Sequence, residues 1–265
     1  MKVSLIITTY NRPDALKLVL KSALKQHRLP HEIVVADDGS GEETANVIQE
    51  AAKKSPVPIL HAWQEDEGFR AAMSRNRAAA MSSGEYIVMI DGDMVLHPLF
   101  IKDHIEAAEP GTFVQGGRVL LSEEATKEAL IESRISFSIF SRSIKNRKNA
   151  LRCSLLSSLF SRKSRSLKGI RTCNFALFRE DLLAVNGFDN RFVGWGREDS
   201  EFAARLLNSG MVRKDLKFAA IAYHLYHKES TREALKENDR RLERTIKERV
   251  VRCEDGIDRF MKDEI

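Results

Sequence analysis

The sequence predicts an α/β fold, a Rossmann-like and mostly parallel central sheet with flanking helices, continued by a less regular half and a long C-terminal helix. Three observations predict it. Short runs rich in Val and Ile alternate with helix-period segments over the first hundred residues. The spacing between runs leaves room for right-handed crossover helices. Polar clusters recur where the runs end.

Taken in order, Val3–Thr8 is the first strand, and Pro13–Gln26 a helix with Ala15, Leu16, Val19, Leu20 and Ala23 on one side. Glu32–Ala36 is the second strand and Glu42–Lys54 the second helix. Val57–His61, Arg70–Ser82 and Glu85–Ile90 follow as strand, helix and strand. Beyond Asp93 the order becomes irregular. Thr112–Ser122 and Ile170–Phe178 have strand character, Asp199–Ser209 is helical, and Val212–Tyr223 holds one or two further strands. Thr231–Lys262 has the pattern of a long charged helix. Its stripe of Leu235, Leu242, Ile246, Val250, Ile257 and Phe260 would pack on the body or against a second subunit in a homodimer. Without internal repeats or a Pro/Gly-rich linker, the chain forms one compact unit. It divides into a first half over 1–110, a second over 111–230 with an insertion at 133–169, and the helix at 231–265.

At 265 residues, with 43% hydrophobic and 31% charged residues, the chain has the composition of a soluble globular protein. No apolar run approaches the roughly 18–20 residues that span a bilayer, and Val3–Ile7 after Met1-Lys2 has the look of a first strand rather than a signal peptide. Cys153, Cys173 and Cys253 lie far apart, which argues against a disulfide framework or a zinc site and favours the cytoplasm, including the cytoplasmic face of the inner membrane. The net charge of +5 is uneven. Ser133–Arg179 holds twelve Lys or Arg and no acid, and without those twelve the charge becomes −7.

In an open parallel sheet, ligands bind beyond the carboxyl ends of the strands. The first strand ends in Thr8-Thr9-Tyr10-Asn11-Arg12, the second in Asp37-Asp38-Gly39-Ser40 and the fourth in Asp91-Gly92-Asp93. Any one of these is an ordinary turn composition; together they bring an aromatic, several hydrogen-bonding groups and four carboxylates to one edge. Two hard oxygen ligands after the apolar strand Tyr86–Ile90 suit Mg²⁺ or Mn²⁺, with coordination positions left for diphosphate oxygens. No P-loop pattern occurs, and Gly39-Ser40-Gly41 lacks the third glycine of a dinucleotide fingerprint. Metal-bridged phosphate recognition remains.

On these motifs the first half resembles the family-2 glycosyltransferases of GT-A fold. Asn186-Gly187-Phe188-Asp189 ahead of Gly194-Trp195-Gly196-Arg197-Glu198-Asp199 resembles the C-terminal region of galactosyltransferase-like and chondroitin-polymerase-like enzymes. The resemblance covers roughly residues 3–100 and 170–230 and implies an inverting, metal-dependent transfer of a hexosyl or N-acetylhexosaminyl group from a UDP-sugar to a carbohydrate or glycolipid acceptor, in the biosynthesis of bacterial lipopolysaccharide, capsule or a similar surface glycan. By matching motif, Thr8, Tyr10 and Asn11 would line the nucleotide pocket. Asp38 would accept the ring N–H of uracil, supported by Asp37. Arg70 and Asn76 would contact diphosphate and ribose, and Asp91-Gly92 would reach ribose or a metal-bound water. Asp93 would bind the metal with His224, His227 being the reserve in Tyr223-His224-Leu225-Tyr226-His227 and Asp91 a further candidate.

Asp199 would be the general base, Glu198 would hydrogen-bond the acceptor, and Trp195 with Gly196 would form the acceptor's apolar floor. A bland reading of Glu198-Asp199 is a helix cap, since acids complement the helix dipole. The family pattern has a second glycine where this chain has Arg197. The basic segment 133–179 admits a solvated insertion, a nucleic-acid surface or a peripheral contact with anionic lipid; few aromatics and no RNA or DNA motif set nucleic acid aside. Leu155, Leu156, Leu159 and Phe160 between Arg152 and Arg162-Lys163 make an amphipathic patch suited to a membrane surface. Two rivals stand beside the glycosyltransferase reading: a sugar-nucleotide nucleotidyltransferase, which would need a glycine-rich basic loop that Thr8–Asp14 is not, and a non-catalytic nucleic-acid-binding protein.

Overall fold

The computed structural model describes residues 1–141, 144–227 and 234–261. Its elements begin with β1 (Val3–Thr9), α1 (Pro13–Ala23), β2 (Glu32–Asp37), α2 (Glu42–Lys54), β3 (Ile59–Trp63), α3 (Ala71–Met81), β4 (Tyr86–Asp91), β5 (Met94–Leu96) and α4 (Phe100–Ala107). There follow β6 (Thr112–Gln115), β7 (Val119–Leu120), α5 (Glu123–Ile131), a 3₁₀ turn at Arg147–Ala150, α6 (Ser154–Phe160), β8 (Arg162–Ser164), β9 (Asn174–Phe178) and α7 (Arg179–Ala184). The chain closes with α8 (Glu198–Asn208), β10 (Val212–Asp215), β11 (Ala222–His224), α9 (Leu235–Lys247) and a 3₁₀ turn at Ile257–Phe260.

Eight strands form one sheet in the order β3-β2-β1-β4-β9-β6-β10-β8, so strands from both halves share it. β9 runs antiparallel to β4 and β6, and β8 antiparallel to β10; the remaining pairs are parallel. β1, β2 and β4 are buried on both faces, which is why they are continuous apolar runs rather than alternating ones. Leu5 and Ile7 point into a core shared with α1, α2, α4 and α5, whereas Ile6 points into the opposite core with α3, α7 and α8. The registers Thr8↔Asp91 and Thr9↔Asp37 set the polar strand ends level with one another.

Several elements depart from the sequence pattern, each for a local reason. The third strand begins at Ile59 rather than Val57 because Pro58 has no N–H for the ladder, although its carbonyl accepts from Ile33. Thr112–Ser122 is not one strand: it breaks at Gly116-Gly117, leaving β6 in the large sheet and β7 in a small one of order β5-β11-β7. A Cβ on Gly116 would lie 2.3 Å from the Asn174 amide, so the break needs glycine. Ile170–Thr172 stay outside the ladder and β9 starts at Asn174.

The long C-terminal helix is also shorter than expected. α9 ends near Lys247, Arg249 adopts a left-handed φ of 53°, and the chain turns back so that Ile257 is buried and Phe260 lies under the Arg77 guanidinium at 4.8 Å. Residues 231–233 and 262 of the expected helix lie outside the described residues. Nor is the apolar stripe what α9 buries. Its buried residues are polar, Asn238 against the 193–196 loop and Thr245 against α8, while Ile246 is 47% exposed. Among the described residues no helix is long and apolar enough to cross a membrane.

Candidate active site

The carboxyl edge of the sheet gathers most of the expected residues. Asp38, buried beyond β2, accepts from the backbone N–H of Arg70 at 2.7 Å and from Gln64 Nε2 at 2.6 Å. Burial pushes its carboxyl up to about 6 despite those bonds. Asp37 is turned inward, accepting from Ser40 N at 2.8 Å and bonded to His61 Nε2 at 2.8 Å; these bonds outweigh burial and hold it below the ordinary range, so it shapes the turn from behind. Asn11 has a left-handed φ of 46° and its side chain accepts from Gly41 N, clasping the first strand end to the second. Tyr10 remains half exposed, its hydroxyl donating to Asp66 at 2.8 Å. Gly92 N donates to Thr8 O at 2.7 Å and fixes the fourth strand end beside the first.

A metal-ligand cluster sits next to this row. Asp93, His224 and His227 present atoms all within 4.8 Å of one another. The small sheet builds it: β11 pairs antiparallel with β5 in the register His224↔Met94, and Leu225 N donates to Asp93 O at 2.9 Å. The donor set fits a divalent cation. Asp93 Oδ1 is buried without a hydrogen-bond partner, and burial lowers His224 to about 4, keeping its ring in the neutral, ligating form. Both histidines, not one, therefore approach Asp93, at 3.7 and 3.4 Å, and Arg12 stands 3.4 Å from Oδ2, the oxygen that His227 also faces. Asp91 lies outside this trio. Its carboxylate faces Arg75, 3.3 Å away, and burial raises it to about 6.

Arg75 is the residue that the sequence reading missed. It is buried in the middle of α3, donates to Thr8 Oγ1 at 3.2 Å, and lies 3.3 Å from Asp91, 3.5 Å from Glu198 and 3.2 Å from Asp199. One guanidinium thus joins the first strand, the fourth strand and the start of α8. A signal was present: α3 is made largely of Ala and buried on several sides, so a charge in its centre needs acids from elsewhere in the fold. Asn76, by contrast, does not reach the cleft. Its fully buried amide donates to Phe188 O and Asn190 Oδ1 and accepts from Phe188 N, bracing the 186–190 turn against α3. Arg70 is engaged on its own turn, with Glu67 and with Glu65 O.

Glu198 and Asp199 stand in the first turn of α8, where acids complement the helix dipole, and the N-cap position, Arg197, has no side-chain cap bond; yet the dipole is not what Asp199 is hydrogen-bonded to. Asp199 accepts instead from Thr172 N at 3.0 Å, Thr172 Oγ1 at 2.5 Å and Arg75 Nη1 at 3.2 Å. Thr172, too, was not singled out from sequence. Glu198 is buried with Oε2 unpartnered, and burial reinforced by the Asp199 charge raises it to about 7. Trp195 is 39% exposed on the loop just before, where Gly194 and Gly196 have φ of 76° and 103°.

The raised Glu198 has a measurable consequence. Between its ordinary value of 4.5 and about 7 the folded protein holds a proton that the unfolded chain has released, so stability falls as pH rises through that window. Glu198→Gln should therefore leave thermal stability unchanged near pH 4.5 and raise it above pH 7 by on the order of 3 kcal/mol, roughly 6–12 °C in Tm. A difference in Tm that stays flat from pH 4.5 to 8 would contradict it.

A parallel-dominated sheet with this row of carboxylates at its carboxyl edge, met by an acid pair from the second half, defines an α/β protein of the GT-A class. The glycosyl transferase family 2 model matches residues 4–184, and that for the N-terminal domain of galactosyltransferase matches residues 153–228. The chain belongs to glycosyl transferase family 2. It is similar to chondroitin synthase of Escherichia coli, 26% identical over 238 residues that cover 84% of this chain and 34% of that one. Hyaluronan synthase of Pasteurella multocida is 28% identical over 248 residues, covering 84% and 24%, and validoxylamine A glucosyltransferase of Streptomyces hygroscopicus subsp. limoneus 27% over 227, covering 79% and 48%. The chain spans between about a quarter and a half of the length of these relatives. Among solved structures, S. aureus TarS 1–349 superposes with a TM-score of 0.64 at 18% identity, covering 98% of this chain and 69% of that one. The same protein in complex with UDP gives 0.61 at 18%, covering 91% and 64%. These likenesses carry the fold.

Proposed function

We propose that the protein is an inverting glycosyltransferase that moves a hexosyl or N-acetylhexosaminyl group from a UDP-sugar to a carbohydrate or lipid-linked glycan acceptor, in the assembly of a bacterial surface glycan such as lipopolysaccharide or capsule. One observation carries the reading. Arg75 draws Asp91 of the first half and the Glu198-Asp199 pair of the second to one point, beside the Asp93-His224-His227 cluster. Membership of the family and the UDP complex of the TarS neighbour support the donor class.

In this reading Asp38 accepts the base's ring N–H and Tyr10 offers its ring to the base. Asp93, His224 and His227 would hold Mn²⁺ or Mg²⁺, which when bound neutralises charge on the departing diphosphate. Trp195 orients the acceptor sugar. Asp199, held by Thr172 and Arg75, takes the proton of the acceptor hydroxyl as its oxygen bonds to the anomeric carbon and the bond to UDP breaks on the opposite face. Calorimetry of UDP and UDP-sugars with and without Mn²⁺ tests the reading; no binding of any of them in either condition rejects it.

The reading includes a peripheral contact with anionic lipid through segment 133–179. Leu155, Leu159 and Phe160 of α6 are 68, 65 and 50% exposed, and the exposed Arg162 and Lys163 follow them. β8 pairs Arg162 with Asp215 at the carboxyl end of β10, so α6 lies towards the same sheet edge as the cleft. The contact would present that edge to a lipid-linked acceptor. The chain should sediment with phosphatidylglycerol vesicles and not with phosphatidylcholine vesicles, and Leu155→Ser with Leu159→Ser should reduce it; equal behaviour with both lipids rejects the contact.

A further inference from the structure

Both matched family segments end before α9, which begins at Leu235. Yet α9 grips the loop that carries Trp195. Asn238, 2% exposed, donates from Nδ2 to Val193 O at 3.2 Å and to Gly196 O at 2.9 Å, the carbonyls that bracket Gly194 and Trp195. The loop between is wound left-handed at Gly194, Gly196 and Arg197, with φ of 76°, 103° and 78°. For arginine that conformation is costly and persists only where surroundings fix it. Asp239 pairs with the Arg197 guanidinium, next to Asn238 in sequence. The start of α9 also fills the space behind the loop. A Cβ on Gly194 would lie 2.4 Å from Ala234 Cβ, and one on Gly196 3.2 Å from Leu235 Cδ1.

The far end of α9 serves a different purpose. Thr245 Oγ1 donates to Glu201 at 3.0 Å, and Asn208 Nδ2 donates to Thr245 O and Val250 O, tying α9 to the body of α8. Asn238 and Thr245 therefore divide the two tasks, one holding the loop and one holding the helix.

We propose that Asn238 is a positioning residue for the acceptor site: its amide holds the 193–197 loop in the left-handed conformation that presents Trp195 and leads into Glu198 and Asp199. The proposal rests on the acceptor role given to Trp195 above, and the test separates the two. In the full chain carrying Trp63→Phe, so that Trp195 is the single tryptophan, Asn238→Ala is compared with Thr245→Val. Trp195 quenching by acrylamide, Tm and UDP binding with Mn²⁺ are measured. The acceptor KM is read with p-nitrophenyl glucoside, N-acetylglucosaminide and glucuronide.

Asn238→Ala is expected to raise the quenching constant at least about twofold, as the loop loosens. It should raise the acceptor KM about tenfold, with UDP affinity within about twofold of the parent. Thr245→Val should lower Tm and leave quenching and KM at parent values. Parent-like quenching in Asn238→Ala overturns the proposal, as does a parallel loss of UDP affinity or the same signature in Thr245→Val. If Asn238→Ala does not fold, Asn238→Ser, which retains one donor, replaces it with an intermediate rise expected. Trp195→Ala with an unchanged acceptor KM would reject the acceptor reading itself, whereas quenching still decides whether Asn238 fixes the loop.

Discussion

Asp93→Ala will bind UDP with the same affinity in Mn²⁺ as in its absence, and will transfer sugar about 10²–10³-fold more slowly than the parent, the equivalent of roughly 3–4 kcal/mol of lost charge stabilisation. The expectation follows from the cluster's composition. Asp93 is the one carboxylate among the cluster's three residues and carries the buried oxygen without a hydrogen-bond partner. The fold should survive the change, because the antiparallel pairing of β5 with β11 runs through backbone bonds. Calorimetric titration of UDP with and without Mn²⁺ into parent and variant checks it. A variant whose UDP affinity still rises with Mn²⁺ would remove Asp93 from the cation's shell.

Asp199→Asn will lower kcat by about 10²–10⁴-fold, the range for loss of a general base, while UDP affinity in Mn²⁺ stays at the parent value. An amide keeps the shape but cannot take the proton. It also loses one of the bonds that Asp199 accepts from Thr172 and Arg75, at a stability cost of about 1 kcal/mol. Steady-state kinetics alongside thermal unfolding separates the two effects. Turnover near that of the parent would show that the proton leaves by another route.

Strands β1, β2 and β4 were legible because each is a continuous apolar run ending in a polar cluster, and the parallel register needs nothing further to align those ends. Asp38 and Asp93 could be named for that reason, whereas the Glu198-Asp199 pair, which opens α8, was named from the resemblance of the stretch around Trp195. Arg75 could not be assigned its role, because its partners come from β1, β4 and α8 and are brought to it only by packing. Asn76, its neighbour, has chemistry suited to a ribose, but its amide is taken up by backbone at Phe188, 112 residues away. The C-terminal helix misled for a related reason. Its apolar residues suggested the packing face, whereas the residues that α9 buries are Asn238 and Thr245, chosen to satisfy carbonyls and a carboxylate.

The threading of β11 between β5 and β7 bears on the order in which the molecule assembles. Asp93 and His224 lie 131 residues apart in the chain, so the cage they share cannot exist before β11 has paired with β5 and β7. It closes only when the last strand of the small sheet slides home. By the same logic it comes apart whenever that strand leaves its neighbours, even with the eight-stranded sheet intact.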